Sequence, residues 1–425
     1  MTSVLQDFLG KRGASPRRGI YSVCSAHPWV IRAAAEQAVE SGSLLLLEAT
    51  SNQVNQFGGY TGMRAEAFRD FVRQHVAAAG LPLERLILGG DHLGPNPWRT
   101  RSAEEAMRLA EEMVAEYVRA GFTKIHLDAS MACGDDGSSI SDEVVAQRAA
   151  RLCRAAEAAR PTGEAPVYVI GTEVPTPGGA THSLDHLQVT SIAAAEHTLD
   201  VHKRVFQEHG LADVWPRVLA LVVQPGVEFG HDSVVSYDHA KAEPLVRWLR
   251  TQPEQIVFEA HSTDYQLPHA YKELVDDGFA ILKVGPALTF ALREALYALV
   301  YIEEQLIDEA RWSRLPQVVE EVMLRKPADW QAHYPGTAAE QKLLRVYSYS
   351  DRMRYYWHFP EVAQAVDRLV GNLRSTLVPE SLWSQYLPLQ YAHIRASRLT
   401  PDPEAIIIDC VREVLRTYAA ACSQN

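Results

Sequence analysis

Cysteine is scarce in this 425-residue chain. Five thiols (Cys24, Cys133, Cys153, Cys410 and Cys422) stand far apart, in an odd number and without CxxC or zinc-knuckle spacing. That excludes a disulfide-stapled scaffold and a cysteine zinc module. Long apolar runs are missing too. The longest, 295–302, has eight residues, far below the roughly 18–20 that a membrane-spanning helix needs. Positive charge is in deficit, with 41 Lys and Arg against 53 Asp and Glu, a net −12. No basic stretch is interleaved with aromatics, so neither nucleic acid nor an anionic membrane is an expected partner. The first residues carry Asp7 inside their apolar patch and basic residues after it, the reverse of a secretory signal, and a reducing cytoplasmic setting is expected. What the chain does have is 47% apolar residues with 22% charged, the composition of a folded globular protein.

Eight short apolar, β-rich runs occupy residues 19–26, 44–50, 86–92, 124–130, 167–173, 218–224, 256–262 and 280–286. Amphipathic segments separate them, such as 102–121 with Ala106, Leu109, Ala110, Met113 and Tyr117 at helical spacing. Strands that are apolar along most of their length, each followed by a helix, predict an α/β fold, a closed (β/α)8 TIM barrel. An open doubly wound sheet is disfavoured because no GxGxxG follows the first run. The barrel is expected over 1–306, with a helical extension over 307–425 punctuated by Pro316, Pro327, Pro335, Pro360, Pro379, Pro388, Pro401 and Pro403. Its aromatic cluster, Tyr347, Tyr349, Tyr355, Tyr356 and Trp357, reads as helix-packing core or as an interface.

In such a barrel the chemistry sits where strands end, and the ends here are polar. The second run ends in Glu48, followed by Ser51, Asn52 and Gln53; the third ends in Gly89-Gly90-Asp91-His92. The fourth carries His126 and Asp128, the fifth ends in Glu173, the sixth in Gln224-Pro225-Gly226. The seventh carries Glu259 and His261, then Ser262 and Asp264, and the eighth carries Lys283. Any one of these is explained as a satisfied rim group. Carboxylates and imidazoles crowded around one mouth imply a cation or an acid–base task. Residues two apart share a strand face, so Glu259 with His261, and His126 with Asp128, are candidate ligand-and-orienter pairs or structural couples. Adjacent Asp91 and His92 point to opposite sides unless the strand bends. The glycines before them suit a close backbone approach or a tight turn. Gly58-Gly59-Tyr60-Thr61-Gly62 and Thr176-Pro177-Gly178-Gly179 read as clamp loops or as plain turns.

Several long strings, LLLLEATSNQVNQFGGYTGM, GGDHLGPN, GFTKIHLDAS, YVIGTEVPTPGG, VVQPGVEFGH, FEAHSTDYQ, AILKVGPALTFALREA and YSYSDRMRYYW, together resemble the Z-subunit family of tagatose-bisphosphate aldolase (GatZ/KbaZ), from about residue 19 to the C-terminus. The resemblance implies a class II aldolase-like barrel that supports a separate catalytic Y-type subunit; some family-like proteins have also been put forward as hexulose 4-epimerases. Beside catalytic class II aldolases, Asp91 takes the proton-transfer position and His92 a zinc-ligand position, while Asp128 and Glu173 match carboxylates on strands four and five. Gln224 stands where a second ligand histidine is expected, and Glu259 or His261 stands for the third. The glycine of the seventh-strand phosphate loop and the asparagine after strand eight are absent, which argues against a bisphosphate substrate.

The resemblance thus implies Asp91, Glu173 and Asp128 as catalytic residues. His92, His261, Glu173, Gln224 and Glu259 are the implied ligands of a divalent metal, with Zn, Mn, Mg, Ni and Co all open because oxygen donors join the imidazoles. Glu48, Asn52, Gln53, Ser262, Asp264 and Lys283 are the candidate substrate contacts. Lys283 is also open as a Schiff-base lysine, with packing or hydrogen bonding the commoner use. The expected ligand is a ketohexose or ketohexose phosphate, and the expected partners are a catalytic Y-type aldolase subunit or further copies of the chain. A metal-dependent aldolase or fructose/tagatose 4-epimerase in its own right is the alternative.

Overall fold

The structure, a computed structural model, describes residues 3–10, 18–137, 139–172, 187–253 and 255–423. The expected strands appear as β1 (Ile20–Val23), β2 (Leu45–Thr50), β3 (Leu86–Leu93) and β4 (Lys124–Leu127), followed by β5 (Val167–Ile170), β6 (Val218–Val222), β7 (Val257–Ala260) and β8 (Phe279–Val284). All neighbours are parallel and β1 pairs with both β2 and β8, closing a (β/α)8 barrel. Six of the eight strands stop two or three residues short of their sequence-expected ends. A two-stranded hairpin, Glu228–Phe229 with Val234–Val235, stands apart from the barrel.

Helices follow each strand and bury one face. Ala103–Arg119 is representative: the Ser102 side chain accepts from the Glu105 amide at its start, and Ala106, Leu109, Ala110, Met113 and Tyr117 are all buried. At the N-terminal end of the barrel the short helix Val4–Leu9 inserts Leu5 among Ile20, Leu46, Ile87, Val167, Leu219 and Ile281. That end is therefore a dry apolar plug, which leaves chemistry to the opposite end.

Register explains how charge enters the interior. Glu48 on β2 pairs with Gly89 on β3, and Gly89 with Lys124 on β4. A Cβ on Gly89 would meet Glu48 Oε1 at 2.5 Å, so the missing side chain lets Glu48 reach across β3 to Lys124. The glycine serves neighbouring side chains rather than a bound molecule.

The C-terminal helix Pro403–Cys422 lies against Pro28–Ser41, Pro268–Asp277 and Pro286–Leu306. It buries Ile406, Ile407, Val411, Leu415 and Tyr418, and the Tyr418 hydroxyl meets the Thr263 hydroxyl at 3.0 Å. Buried Glu303 accepts from the Ser313 amide (3.0 Å) and from Asn372 (2.6 Å), tying the helix after β8 to the extension. Deleting residues 303–425 is therefore expected to give insoluble protein, since each lost apolar partner is worth roughly 1.5–3 kcal/mol. A soluble 1–302 fragment with a cooperative melt would contradict this. Among the described residues no helix is long and apolar enough to cross a membrane.

Candidate active site

At the C-terminal end of the barrel three imidazoles converge. The His92, His126 and His261 ring centroids lie 5.2, 4.9 and 5.3 Å apart pairwise. Each ring has its own carboxylate: His92 Nδ1 to Asp128 at 2.8 Å, His126 Nδ1 to Asp91 at 3.1 Å, and His261 Nε2 to Glu259 at 2.9 Å. Carboxylate partners of this kind fix ring orientation and tautomer. The Glu259–His261 pairing follows the period-two rule; Asp128 serves His92 instead of His126.

A local break in β3 makes this possible. The register shifts between Gly90 and Leu93, and His92 adopts φ 48°. Asp91 and His92, adjacent in sequence, thereby both line the mouth. The following Gly94 is obligatory, because a Cβ there would sit 1.6 Å from the Asp128 carbonyl oxygen. Ser262 (φ 52°), Tyr265 (φ 65°) and Asp351 (φ 42°) are also left-handed. Such backbone costs about 1–3 kcal/mol per residue and clusters at functional sites.

Two lysines neutralise the interior carboxylates. Lys124 Nζ lies 2.5 Å from Glu48 Oε1 and 2.7 Å from Glu259 Oε2, with all three side chains fully buried. Lys283 Nζ contacts Glu48 Oε2 and lies 2.9 Å from Asp91 Oδ1. Lysine thus supplies much of the charge relief for which the sequence alone suggested a metal. Burial pulls Lys283 down to about 8, while the two carboxylates beside it favour its charged form. Burial alone would raise the Asp91 carboxyl, but His92, His126 and His261 outweigh it and hold the group well below the usual carboxylate range. Burial likewise opposes a charge on His92, yet Asp91 and Asp128 lift it to about 9. Burial raises Asp264 to about 6, against the amides that donate to it.

The mouth encloses a cavity of about 90 Å³ lined by Asp91, His92, His261, Asp264, Lys283 and Arg354, among others. Cys24, Asn52, Gln53, Tyr60, Ser262 and Tyr355 complete most of its wall. The expected substrate contacts Asn52, Gln53, Ser262, Asp264 and Lys283 therefore do reach it. Glu48 is not in the wall; it lies fully buried beneath, in its ion pairs. Asp128, expected to be catalytic, is engaged by His92 and by the Ser130 amide (3.1 Å) and hydroxyl (2.7 Å). Gln224 is turned to its own loop: its Oε1 accepts from the Gly226 and Val227 amides at 2.8 and 3.0 Å. Glu173 and the loop 176–179 lie outside the described residues. The Gly58–Gly62 loop is bonded to 52–53, with the Tyr60 amide donating to the Asn52 carbonyl at 3.0 Å, and places Tyr60 in the cavity wall.

The metal-capable set differs from the expected one. Asp91, His126, Glu259 and His261 offer ligand atoms within 4.8 Å of one another, and His126 Nε2 is buried without a hydrogen-bond partner. Two imidazoles, two carboxylates and an orphaned nitrogen suit a divalent transition ion. A second group, Cys24, Glu48 and Asp91, has Lys283 among its carboxylates. Sequence reasoning raised His126 only as half of a candidate pair with Asp128, left it out of the ligand set, and missed Lys124 altogether. Their alternation with Asp128 on one face of β4 was the available signal. Arg354 and Tyr355, from the extension, had no such signal.

A family model described as D-tagatose-1,6-bisphosphate aldolase subunit GatZ/KbaZ-like matches residues 5–423. A crystal structure of a probable tagatose 6 phosphate kinase from Sinorhizobium meliloti 1021 is 50% identical, with a TM-score of 0.89, covering 95% of this chain and 100% of that one. The YdjI aldolase from Escherichia coli K12 is 10% identical with a TM-score of 0.42, covering 87% of this chain and 96% of that one. Fructose-bisphosphate aldolase from Campylobacter jejuni is 15% identical with a TM-score of 0.42, at 84% and 88% coverage. By the near full-length family match and the relative at half identity, the chain belongs to the D-tagatose-1,6-bisphosphate aldolase subunit GatZ/KbaZ-like family.

Proposed function

We propose that the chain acts in aldolase-type carbohydrate metabolism by binding a ketose in its barrel mouth, working beside a catalytic Y-type aldolase chain. The observation that carries this reading is the set of three buried imidazole–carboxylate pairs opening on the cavity. A barrel used only as a scaffold has no physical reason to bury so many ionisable groups.

The same cluster favours a second reading, in which the chain transforms the ketose itself. His126, His261, Asp91 and Glu259 would hold a divalent ion, which supplies Lewis-acid polarisation of the ketose carbonyl when bound. Asp91, encircled by cations and held low, is a weak base, and its geometry suits orienting Lys283 and His126. Asp264 lines the cavity and titrates nearer neutrality, at about 6, which suits taking the C4 hydroxyl proton. Cleavage of C3–C4 then leaves an aldehyde and an enediolate, whose charge the Lys283 ammonium in the cavity wall would offset. Re-addition to the other aldehyde face inverts C4; release of the fragments is aldol cleavage.

The test is an assay of ketohexoses and their phosphates for cleavage and C4 inversion, with the chain alone and mixed with a catalytic class II aldolase chain. The expected result is a gain in activity or thermal stability of the mixture. On the second reading there is also turnover by the chain alone, reduced about 10²–10⁴-fold in Asp264→Asn. A chain inert alone and without effect on the aldolase would sink both readings.

A further inference from the structure

The barrel does not close its cavity alone. The turn Arg352–Tyr355, some seventy residues beyond β8, places Arg354 and Tyr355 in the wall. Tyr60 meets Tyr355 edge-on at 4.9 Å between ring centroids, and the Arg354 guanidinium carbon lies 4.5 Å over the Tyr355 ring. The guanidinium donates to the Ser350 carbonyl, to the Asp351 carbonyl at 3.0 Å and to the Tyr355 hydroxyl at 2.9 Å. All three acceptors are neutral. The carboxylates of Asp351 and Asp264 act on Arg354 only through space, whereas Lys283 has two carboxylates against its ammonium. A half-buried guanidinium whose hydrogen bonds all go to neutral acceptors is well matched to an oxyanion on a ligand.

The other natural anion seat is already taken. The amides of Gly285 and Ala287 open the helix Pro286–Leu306 after β8, where a barrel commonly receives a phosphate. Both donate to Asp264 Oδ1, at 3.0 and 2.9 Å. The chain's own carboxylate fills that place and would repel a second anion. Residues 173–186, outside the described set, contain no lysine or arginine. Arg354 also stands at the junction with a second cavity, of about 370 Å³, whose wall shares Cys24, Gln53 and Tyr60 with the first. A ligand that meets Lys283 and His261 shares that cavity with Arg354.

We infer that Arg354 is the anion anchor of this site and that the ligand carries one oxyanionic group, a phosphomonoester or a carboxylate, at its far end, rather than two phosphates. The inference rests on the ketose-binding reading for the ligand's identity, while the anchor itself is testable without a ketose.

The experiment is calorimetric titration of the full-length protein, wild type, Arg354→Gln and Arg354→Lys, each first shown to melt cooperatively. The probes are inorganic phosphate, a neutral ketohexose, its monophosphate, its bisphosphate and a ketohexuronate. Wild type is expected to bind inorganic phosphate, and to bind the monophosphate or the uronate roughly 10–100-fold more tightly than the neutral ketose. The bisphosphate gains nothing over the monophosphate. Arg354→Gln loses phosphate binding and that preference, and Arg354→Lys keeps part of both. The better of the monophosphate and the uronate identifies the source of the oxyanion. Phosphate bound through Arg354 with no ketose bound would leave the anchor standing and remove the ketose reading. Oxyanion affinity unchanged in Arg354→Gln, tightest binding of the bisphosphate, or no phosphate binding by wild type would overturn the proposal.

Discussion

Replacing Lys124 by methionine is expected to lower the thermal unfolding midpoint by roughly 3–6 °C. Methionine is close to lysine in length and fills the same space, so cavity formation contributes little. What is lost is the ammonium that touches Glu48 at 2.5 Å and Glu259 at 2.7 Å. Both carboxylates are 0% exposed, and water cannot replace the missing charge. Breaking a buried pair by removing one partner typically costs about 3–5 kcal/mol. Glu48 keeps Lys283 and Glu259 keeps His261, which places the expected loss toward the lower end. Adding Glu259→Gln to Lys124→Met should restore most of the midpoint, because the uncompensated charge goes with it. Differential scanning calorimetry of the two variants checks this, and an unchanged midpoint in Lys124→Met would show that the charges are not coupled as their positions indicate.

The barrel was legible because its signal is local and repeated: eight apolar runs each followed by an amphipathic helix, with His and acidic residues at the ends. The mouth was legible in part. Asp91, His92, His261, Asp264 and Lys283 sit at strand ends, and strand ends of a parallel barrel share one rim. Partner choice was not legible, since it depends on stagger between strands. Asp128 reaches His92 across the β3 break, which only the left-handed His92 backbone creates. Gln224 occupies the right rim position, yet its amide is consumed by the tight turn at Gly226. Lys124 opens β4 and looks in sequence like a solvated strand start; its burial follows from Gly89 between it and Glu48. Arg354 arrives from a helical segment with no periodic link to the barrel, and only tertiary packing brings it to the rim.

The largest expected effect on function is at His126. Its ring is fully buried, its Nδ1 lies 3.1 Å from Asp91, and its Nε2 has no protein partner. An imidazole nitrogen buried without a partner costs about 1–3 kcal/mol unless something else occupies it. Replacing His126 by leucine removes that liability but also takes a buried partner from Asp91 and an acceptor from the His92 amide, so stability should fall by no more than about 1–3 kcal/mol. Ion affinity, by contrast, should fall by more than the roughly 10–100-fold that loss of an outer-shell partner costs. Any turnover of a ketose by the chain alone should fall with it. A purely structural histidine would leave ion content unchanged.

Elemental analysis of the purified full-length chain, before and after equilibration with millimolar divalent ions and desalting, therefore bears most directly on the proposed site. The reading predicts about one transition-metal ion per wild-type chain and none retained by His126→Leu. Wild type without an ion at millimolar supply, or His126→Leu with an undiminished one, would contradict it.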